Sequence, residues 1–203
     1  MTKLPEGVIA GIAAGLASGI AARVAMRMVA DGVADGIGQL PAFTPEGSAA
    51  ILASGAIAGA PLGAIYAAAE PSLRAPARAR GLVFGLVLLA SAGPLFLSGD
   101  ELFSRGRVAL FALLFPIFGI VVGLALPPAR RIAPRIGANA HVLLALIALG
   151  GGAVVGAGLI GLAAQAVKEH GAAALAAIAP LLVATGLLAR PLRARRIGAQ
   201  ASR

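Results

Sequence analysis

Cysteine and tryptophan are absent from this chain of 203 residues, and charged residues are scarce. The lack of cysteine excludes disulfides, thiolate metal sites and a cysteine nucleophile. Only 12% of the residues are Asp, Glu, Lys or Arg, whereas a soluble domain contains about 25%. With 59% apolar residues and a mean hydropathy of +0.94, the composition indicates that lipid replaces water around most of the chain.

Aromatic residues that could stack on nucleic-acid bases are also few, since Tyr66 is the only tyrosine. The formal charge of +9 would suit a nucleic-acid partner. A single-strand binder, however, needs aromatic platforms as well as a basic face on a folded surface. Here the cations stand in connectors between apolar stretches, so we expect no nucleic-acid partner.

Groups that could perform catalysis are missing from the middle of the apolar stretches. Every Asp and Glu maps to a connector or to a predicted helix end. His141 and His170 flank the fifth stretch on opposite sides, so they cannot share a metal within one subunit. A hydrolase needs a nucleophile with a base in reach, and no such pair is apparent. We therefore predict no catalytic residue, no metal site, no cofactor and no enzymatic activity.

Long apolar stretches dominate what the chain does contain. A helix of about 20 apolar residues crosses a hydrocarbon core of about 30 Å. Connectors between the stretches are too short to form an aqueous domain. We predict an all-α, polytopic membrane helix bundle that forms one integral membrane domain over residues 1–203. Its six spans are predicted near 5–30, 45–69, 80–98, 107–126, 141–166 and 171–189.

The distribution of cations predicts the orientation of this bundle. If the N-terminus is cytoplasmic, twelve of the 17 Lys and Arg residues fall on the inner side. Cytoplasmic connectors carry an excess of Lys and Arg in membrane proteins. Six of the eight acids then fall outside. The composition, rich in Ala, Gly and Arg, is typical of GC-rich bacterial genomes. We expect a bacterial inner (plasma) membrane protein with both termini in the cytoplasm.

Glycines at four-residue spacing mark the first two spans. Small residues let helix backbones approach closely, which drives packing where lipid removes the hydrophobic gain. We predict that the two rows face each other or a neighbouring span; glycine that merely follows composition is the alternative. The first row contains Gly7, Gly11, Gly15 and Gly19, and the second contains Gly55, Gly59 and Gly63.

Proline and further glycine interrupt the later spans. Pro61, Pro94, Pro116 and Pro180 each remove a helical hydrogen bond, and the fifth span carries a group of glycines from Gly150 to Gly161. Broken helices are used by transporters, but Pro and Gly are common in membrane helices of every kind. The sequence Pro-Glu-Gly at both 5–7 and 45–47 leaves open an internal repeat of the first two spans.

A charged row continues the first glycine row towards the outer side. Arg23, Arg27, Asp31 and Asp35 follow one another at four-residue spacing. We expect Arg23 just inside the outer membrane boundary and Arg27 at headgroup level. Two guanidiniums there could bind a phosphate, a carboxylate or a lipid headgroup. The alternative, which we prefer, is that Arg23 and Arg27 extend towards the lipid phosphates as anchors. They are the candidate anion- or lipid-binding residues.

Two functional classes remain compatible with these patterns. The first is a protein that transports or handles a small solute, an anion or a lipid. The second is a non-catalytic membrane subunit or scaffold that packs against a partner protein, or against a second copy, through its small-residue helix faces. In either case the bilayer is a partner, and a basic tail after the last span is expected to attract anionic headgroups. That tail contains Arg190, Arg193, Arg195 and Arg196.

Overall fold

A computed structural model describes residues 3–33, 44–96 and 105–170, and these residues contain helices and no strand. The all-helical prediction is confirmed for this part of the chain. Short 3-10 turns follow the second and fourth long helices, at Glu70–Ser72 and Ala133–Arg135. The long helices are α1 (Leu4–Val33), α2 (Pro45–Ala69), α3 (Arg80–Phe96), α4 (Arg105–Ile132) and α5 (Ala138–His170).

Four of these helices have the length and composition of membrane spans. The apolar part of α3, Arg80–Ala92, is shorter. The predicted sixth span at 171–189, with Pro180, lies outside the described residues, as does the Arg190 tail. The four spans run through Leu4–Arg27, Pro45–Ser72, Ala112–Arg135 and Ala138–Gln165.

Helix ends follow from local chemistry, with one correction. The Thr44 side chain accepts a hydrogen bond from the backbone N–H of Gly47 at 3.1 Å, as expected for an N-cap followed by proline. The predicted end of α4 near 126 is wrong, because the helix continues through Pro127 and Pro128 to Ile132. Both prolines are exposed, and their missing N–H groups leave the carbonyls of Gly123 and Leu124 without helical donors, a loss that membrane helices tolerate.

Helix α1 is central, since it packs against α2, α4 and α5, while α3 packs on α4 and α5 on α2. Consecutive helices run in opposite directions. One end of the bundle, which we call the Glu70 end, therefore holds the starts of α1, α3 and α5 and the ends of α2 and α4. The opposite end, called the Thr44 end, holds the end of α1 and the start of α2.

The first hairpin, α1 with α2, is packed backbone against backbone. A Cβ placed on Gly11 would collide with the carbonyl oxygen of Gly59 and would lie 2.8 Å from the Cα of Gly63. A Cβ on Gly15 would collide with the carbonyl oxygen of Gly55. The structure thus places the two glycine rows against each other, with Gly7 on Gly63 at one end and Gly19 beside Ile51 and Leu52 at the other.

The second hairpin, α3 with α4, repeats this contact with glycines that were not singled out from the sequence. A Cβ on Gly81 would collide with the carbonyl oxygen of Gly119, and the Cα of Gly123 lies 3.0 Å from it. A Cβ on Gly85 would lie 3.1 Å from the Cα of Gly119. Each hairpin is therefore a pair of helices in direct backbone contact.

Side chains fill the space between the two hairpins. Small alanines from α1 and larger residues from α4 meet there, and the Tyr66 and Phe84 rings lie 5.1 Å apart. Other large apolar side chains point outward: Leu124 and Ile160 are each 72% exposed, as expected for a lipid-facing surface. The buried cluster consists of Ala10, Ala14, Tyr66, Ala67, Phe84, Phe118, Val122, Leu126 and Ala129.

Helix α5 packs on α2 where Pro61 interrupts the helical hydrogen bonding. Proline has no N–H for the carbonyl four residues earlier, which is that of Ile57. Gly151 lies directly against this carbonyl oxygen, and its Cβ would be 3.2 Å from the Pro61 ring. The proline in the second span and a glycine of the fifth thus form one contact.

Candidate functional site

Four charged side chains from four different helical elements meet at the Glu70 end of the bundle. Glu6 lies in the first turn of α1, Glu70 directly follows α2, Arg80 begins α3, and Arg130 lies in the last turn of α4. We call this group the Glu70 cluster.

Glu70 binds one arginine with each of its carboxylate oxygens. The Nη1 of Arg80 donates to Oε1 at 2.8 Å, and the Nη2 of Arg130 donates to Oε2 at 2.9 Å. The Nε of Arg130 lies 3.5 Å from Oε2 of Glu6. The Nε of Arg80 also donates to the carbonyl oxygen of Ala75 at 3.2 Å, which fixes the guanidinium against the connector between α2 and α3.

Two of these residues interact favourably with the dipole of their helix, and two interact unfavourably. An acid suits a helix start and a base suits a helix end, because of the helix dipole. Glu6 and Arg130 obey that preference, whereas Glu70 at the end of α2 and Arg80 at the start of α3 oppose it. The Glu70–Arg80 ion pair therefore also offsets two unfavourable helix-dipole interactions.

The side chains of the Glu70 cluster are partly buried. The exposed fractions of the side chains are 16% for Glu70, 23% for Glu6, 30% for Arg80 and 39% for Arg130. A fully exposed ion pair contributes about 0–1 kcal/mol, and a hydrogen bond to a charged group contributes about 1.5–3 kcal/mol. The two short bonds to Glu70 lie between these limits, and the longer Glu6 contact lies nearer the first.

Every ion pair of the Glu70 cluster crosses from one hairpin to the other. The first hairpin supplies both acids, and the second supplies both bases. Within each hairpin, by contrast, glycine backbones lie in direct contact. The cluster therefore adds an electrostatic connection between the two hairpins to the buried apolar contacts between them.

The arginines singled out from the sequence lie at the opposite, Thr44 end. The Nε of Arg23 donates to Oγ of Ser48 at 3.1 Å, and its Nη2 donates to the carbonyl oxygen of Thr44 at 3.4 Å. Arg23 thus ties α1 to the first turn of α2. Arg27 is exposed one helical turn further along. The side chains of Asp31 and Asp35 lie outside the described residues.

The sequence contained a signal for the Glu70 cluster that was not used. Glu6 and Glu70 are the two acids on the predicted inner side, where twelve cations are expected. An acid at a membrane boundary surrounded by cations has a strong tendency to pair with arginine. The distribution of acids therefore points to Glu6 and Glu70, but it does not indicate which arginines they bind.

The remaining candidates give no second cluster within the described residues. No group of three or more His, Asp and Glu side chains there could hold a metal ion. The Nε2 of His141 lies 2.9 Å from the carbonyl oxygen of Ala133, which joins the start of α5 to the turn after α4.

Comparison of the chain with protein-family models, with curated proteins and with solved structures finds no match. Its function is therefore inferred from its own geometry. Chemically, the Glu70 cluster can hold the two hairpins together, release them, and bind anions through its guanidiniums.

Proposed function

We propose that this chain is a six-span inner-membrane protein that transports or handles a small solute, an anion or a lipid by movement of its two hairpins. The observation that carries the proposal is that all three ion pairs of the Glu70 cluster join one hairpin to the other. An expectation of no enzymatic activity is part of the same proposal.

Two kinds of contact in the molecule favour such a movement. Inside each hairpin, backbone meets backbone at Gly11 and Gly59 and at Gly81 and Gly119, so sliding or parting would break close packing over several turns. Between the hairpins, the contacts are made by side chains: a buried apolar cluster and, at the Glu70 end, partly exposed ion pairs that can exchange for water. Many transporters move one packed unit against another in this way.

The charge distribution supports a cytoplasmic location for the Glu70 end. Both acids of this end are paired within the cluster, while further cations remain exposed around it. Such an excess is typical of the inner side. The proposed sixth span at 171–189 would return the chain to this side and place the Arg190 tail against anionic lipid headgroups. The exposed cations are Lys3, Arg74, Arg78, Arg131 and Arg135.

Cross-linking across the cluster tests this mechanism. The chain has no native cysteine, so Ser72→Cys and Ile132→Cys, at exposed positions two residues from Glu70 and Arg130, can be joined by a reducible bifunctional reagent in proteoliposomes. We expect flux of radiolabelled inorganic phosphate, or flipping of a fluorescent phospholipid, to stop on cross-linking and to return on reduction. The two probes distinguish a soluble anion from a lipid.

A matched control uses the contact inside the first hairpin. Cross-linking Arg23→Cys to Ser48→Cys joins α1 to α2 without crossing between hairpins, and we expect it to leave the flux unchanged. Equal flux with and without the Ser72–Ile132 cross-link would overturn the mechanism. Absence of flux for both probes with folded protein would contradict transport of these classes.

A second function, that of a membrane subunit, is favoured by the outer half of α5. Within the described part of the chain, nothing lies within 4 Å of a Cβ placed on Gly156, Gly158 or Gly161. Val154 nearby is 65% exposed. Native mass spectrometry from nanodiscs separates the two functions: a stoichiometric protein partner supports the subunit, and a retained lipid or anion supports transport or lipid handling.

A further inference from the structure

We propose that Arg80 and Arg130 form a binding site for a carboxylate or phosphate group, and that Glu70 occupies this site as an internal ligand. The binding site stands on its own geometry. Its coupling to movement of the hairpins rests on the proposed function.

The geometry around Glu70 is that of a bound anion. Two guanidiniums from different helices converge on one carboxylate, each donating to a different oxygen, at 2.8 and 2.9 Å. A guanidinium presents a planar fork of N–H donors that fits carboxylates and phosphates alike. A phosphate group offers more oxygens than a carboxylate, so it can accept additional bonds from the same two forks.

The site is accessible from the Glu70 end without passage through the bundle. Arg130 is 39% exposed and Arg80 is 30% exposed. The exposed cations Lys3, Arg74 and Arg131 stand at the same end, where they raise the local concentration of anions.

Replacement of Glu70 by an external anion would loosen the connection between the hairpins. Glu70 takes part in two of the three ion pairs, so after its displacement the 3.5 Å contact between Glu6 and Arg130 is the one ion pair of the cluster that remains beside the buried apolar contacts. A ligand that binds better to the separated arrangement must shift the protein towards it, and separation must in turn strengthen binding. The Glu70 carboxylate thus competes with an external anion for Arg80 and Arg130, and this competition links anion binding to separation of the hairpins.

Calorimetric titration with inorganic phosphate tests the site in the full chain, held in phosphatidylcholine nanodiscs. Removing the internal competitor by Glu70→Gln should tighten phosphate binding about tenfold or more. Combining it with Arg130→Gln should abolish that gain. Glu46→Gln, the same substitution at the exposed opposite end of α2, should leave the affinity unchanged.

A second variant keeps the test valid if Glu70→Gln does not fold. Arg130→Lys keeps the positive charge but removes the planar fork, so we expect phosphate to bind several-fold more weakly than to the native chain. Native affinity in Arg130→Lys, or equal affinities in native, Glu70→Gln and Glu46→Gln chains, would overturn the proposal.

Adding phosphatidylglycerol to the nanodiscs distinguishes the two sources of the anion. If a lipid headgroup enters the site, this lipid should weaken phosphate binding by competition, and more so in Glu70→Gln than in Glu70→Gln with Arg130→Gln. If phosphatidylglycerol leaves the phosphate affinity unchanged, and this affinity still depends on Glu70, the site binds a soluble anion. Either result supports the shared chemistry of the site.

The site and the proposed transport can fail separately. Tighter phosphate binding in Glu70→Gln without flux of either probe would retain the site and reject the transport function. Flux that stops on cross-linking Ser72→Cys to Ile132→Cys, with phosphate binding indifferent to Glu70, would retain the transport function and reject the site.

Discussion

In the first hairpin, backbone contact runs from Gly7 at the Glu70 end to Gly19 near the Thr44 end, whereas in the second it runs from Gly81 to Gly85. The register is nevertheless shared. Gly59 lies between Gly11 and Gly15 in the same manner as Gly119 lies between Gly81 and Gly85. The hairpins also differ in what they supply to the ion pairs at their common end, since one supplies both acids and the other both arginines. Glycine contacts thus hold each hairpin together, whereas a buried apolar cluster and the ion pairs at the Glu70 end join one hairpin to the other.

Gly11→Leu should break the first hairpin and destabilise the chain more than any other substitution we propose. A side chain at this position would meet the backbone of Gly59 and Gly63, which cannot move aside without separating the helices. We expect a loss of more than about 3 kcal/mol, seen as a lower unfolding temperature in detergent. Gly156→Leu, at a position with nothing within 4 Å among the described residues, is the control, and equal losses would contradict the glycine contact.

A smaller effect is expected from Gly81→Ala in the second hairpin. Its Cβ would collide with the carbonyl oxygen of Gly119, so we expect a loss of about 1–3 kcal/mol. Gly19→Ala in the first hairpin is the comparison. Its nearest contacts are 3.3 Å, one of them with a flexible Leu52 methyl group, and the gain of about 1 kcal/mol in helix propensity offsets this crowding.

Chemical denaturation in mixed micelles measures both alanine variants on one scale. If Gly19→Ala destabilises the chain as much as Gly81→Ala, close approach of the helix backbones would not explain why glycine occupies these positions. The glycines would then merely follow the composition of the chain.

Breaking the connection between the hairpins should cost less than breaking a hairpin. For Glu70→Gln we expect about 1–2 kcal/mol, because the bonds lost are only partly buried. Spin labels at Ser72→Cys and Ile132→Cys should show a longer or broader distance distribution between hairpins. Labels at Leu4→Cys and Ser72→Cys, both in the first hairpin, should show the same distance distribution as in the native chain. A change in the second pair alone would reverse our assignment of the rigid units.

Salt offers a further comparison on the same labels. Partly exposed ion pairs are screened as ionic strength rises, so the native chain should approach the Glu70→Gln distribution at high salt. Contacts between glycine backbones carry no net charge, and the Leu4–Ser72 distance should therefore stay constant.

Regular spacing made some of these features predictable from the sequence. The helices follow from apolar stretches of about 20 residues, the glycine rows follow from a four-residue spacing along one segment, and Thr44-Pro45-Glu46 has the local chemistry of a helix start. The shorter glycine pairs of α3 and α4 escaped notice because two glycines at this spacing are common in an Ala- and Gly-rich chain.

The Glu70 cluster was not predictable in the same way. Glu70 and Arg130 are 60 residues apart in sequence, and no local period connects them. Their meeting depends on which helices are neighbours, and that order is set by packing of α1 between α2 and α4. The sequence indicated Arg23 as a candidate, but its partner Ser48 stands on another helix and was not foreseen.

The smallest expected effect concerns this Arg23–Ser48 bond at the Thr44 end. We expect Ser48→Ala and Arg23→Gln each to lower stability by about 0.5–1.5 kcal/mol, and the double variant to lose less than the sum, because both remove the same 3.1 Å bond. Unfolding in detergent measures the cycle. Strict additivity would mean that Arg23 acts mainly through the lipid phosphates, in which case its substitution should matter in anionic bilayers and not in a neutral detergent. The contrast with Glu70 would then sharpen: one end would join the two hairpins to each other, and the other would join the first hairpin to the membrane.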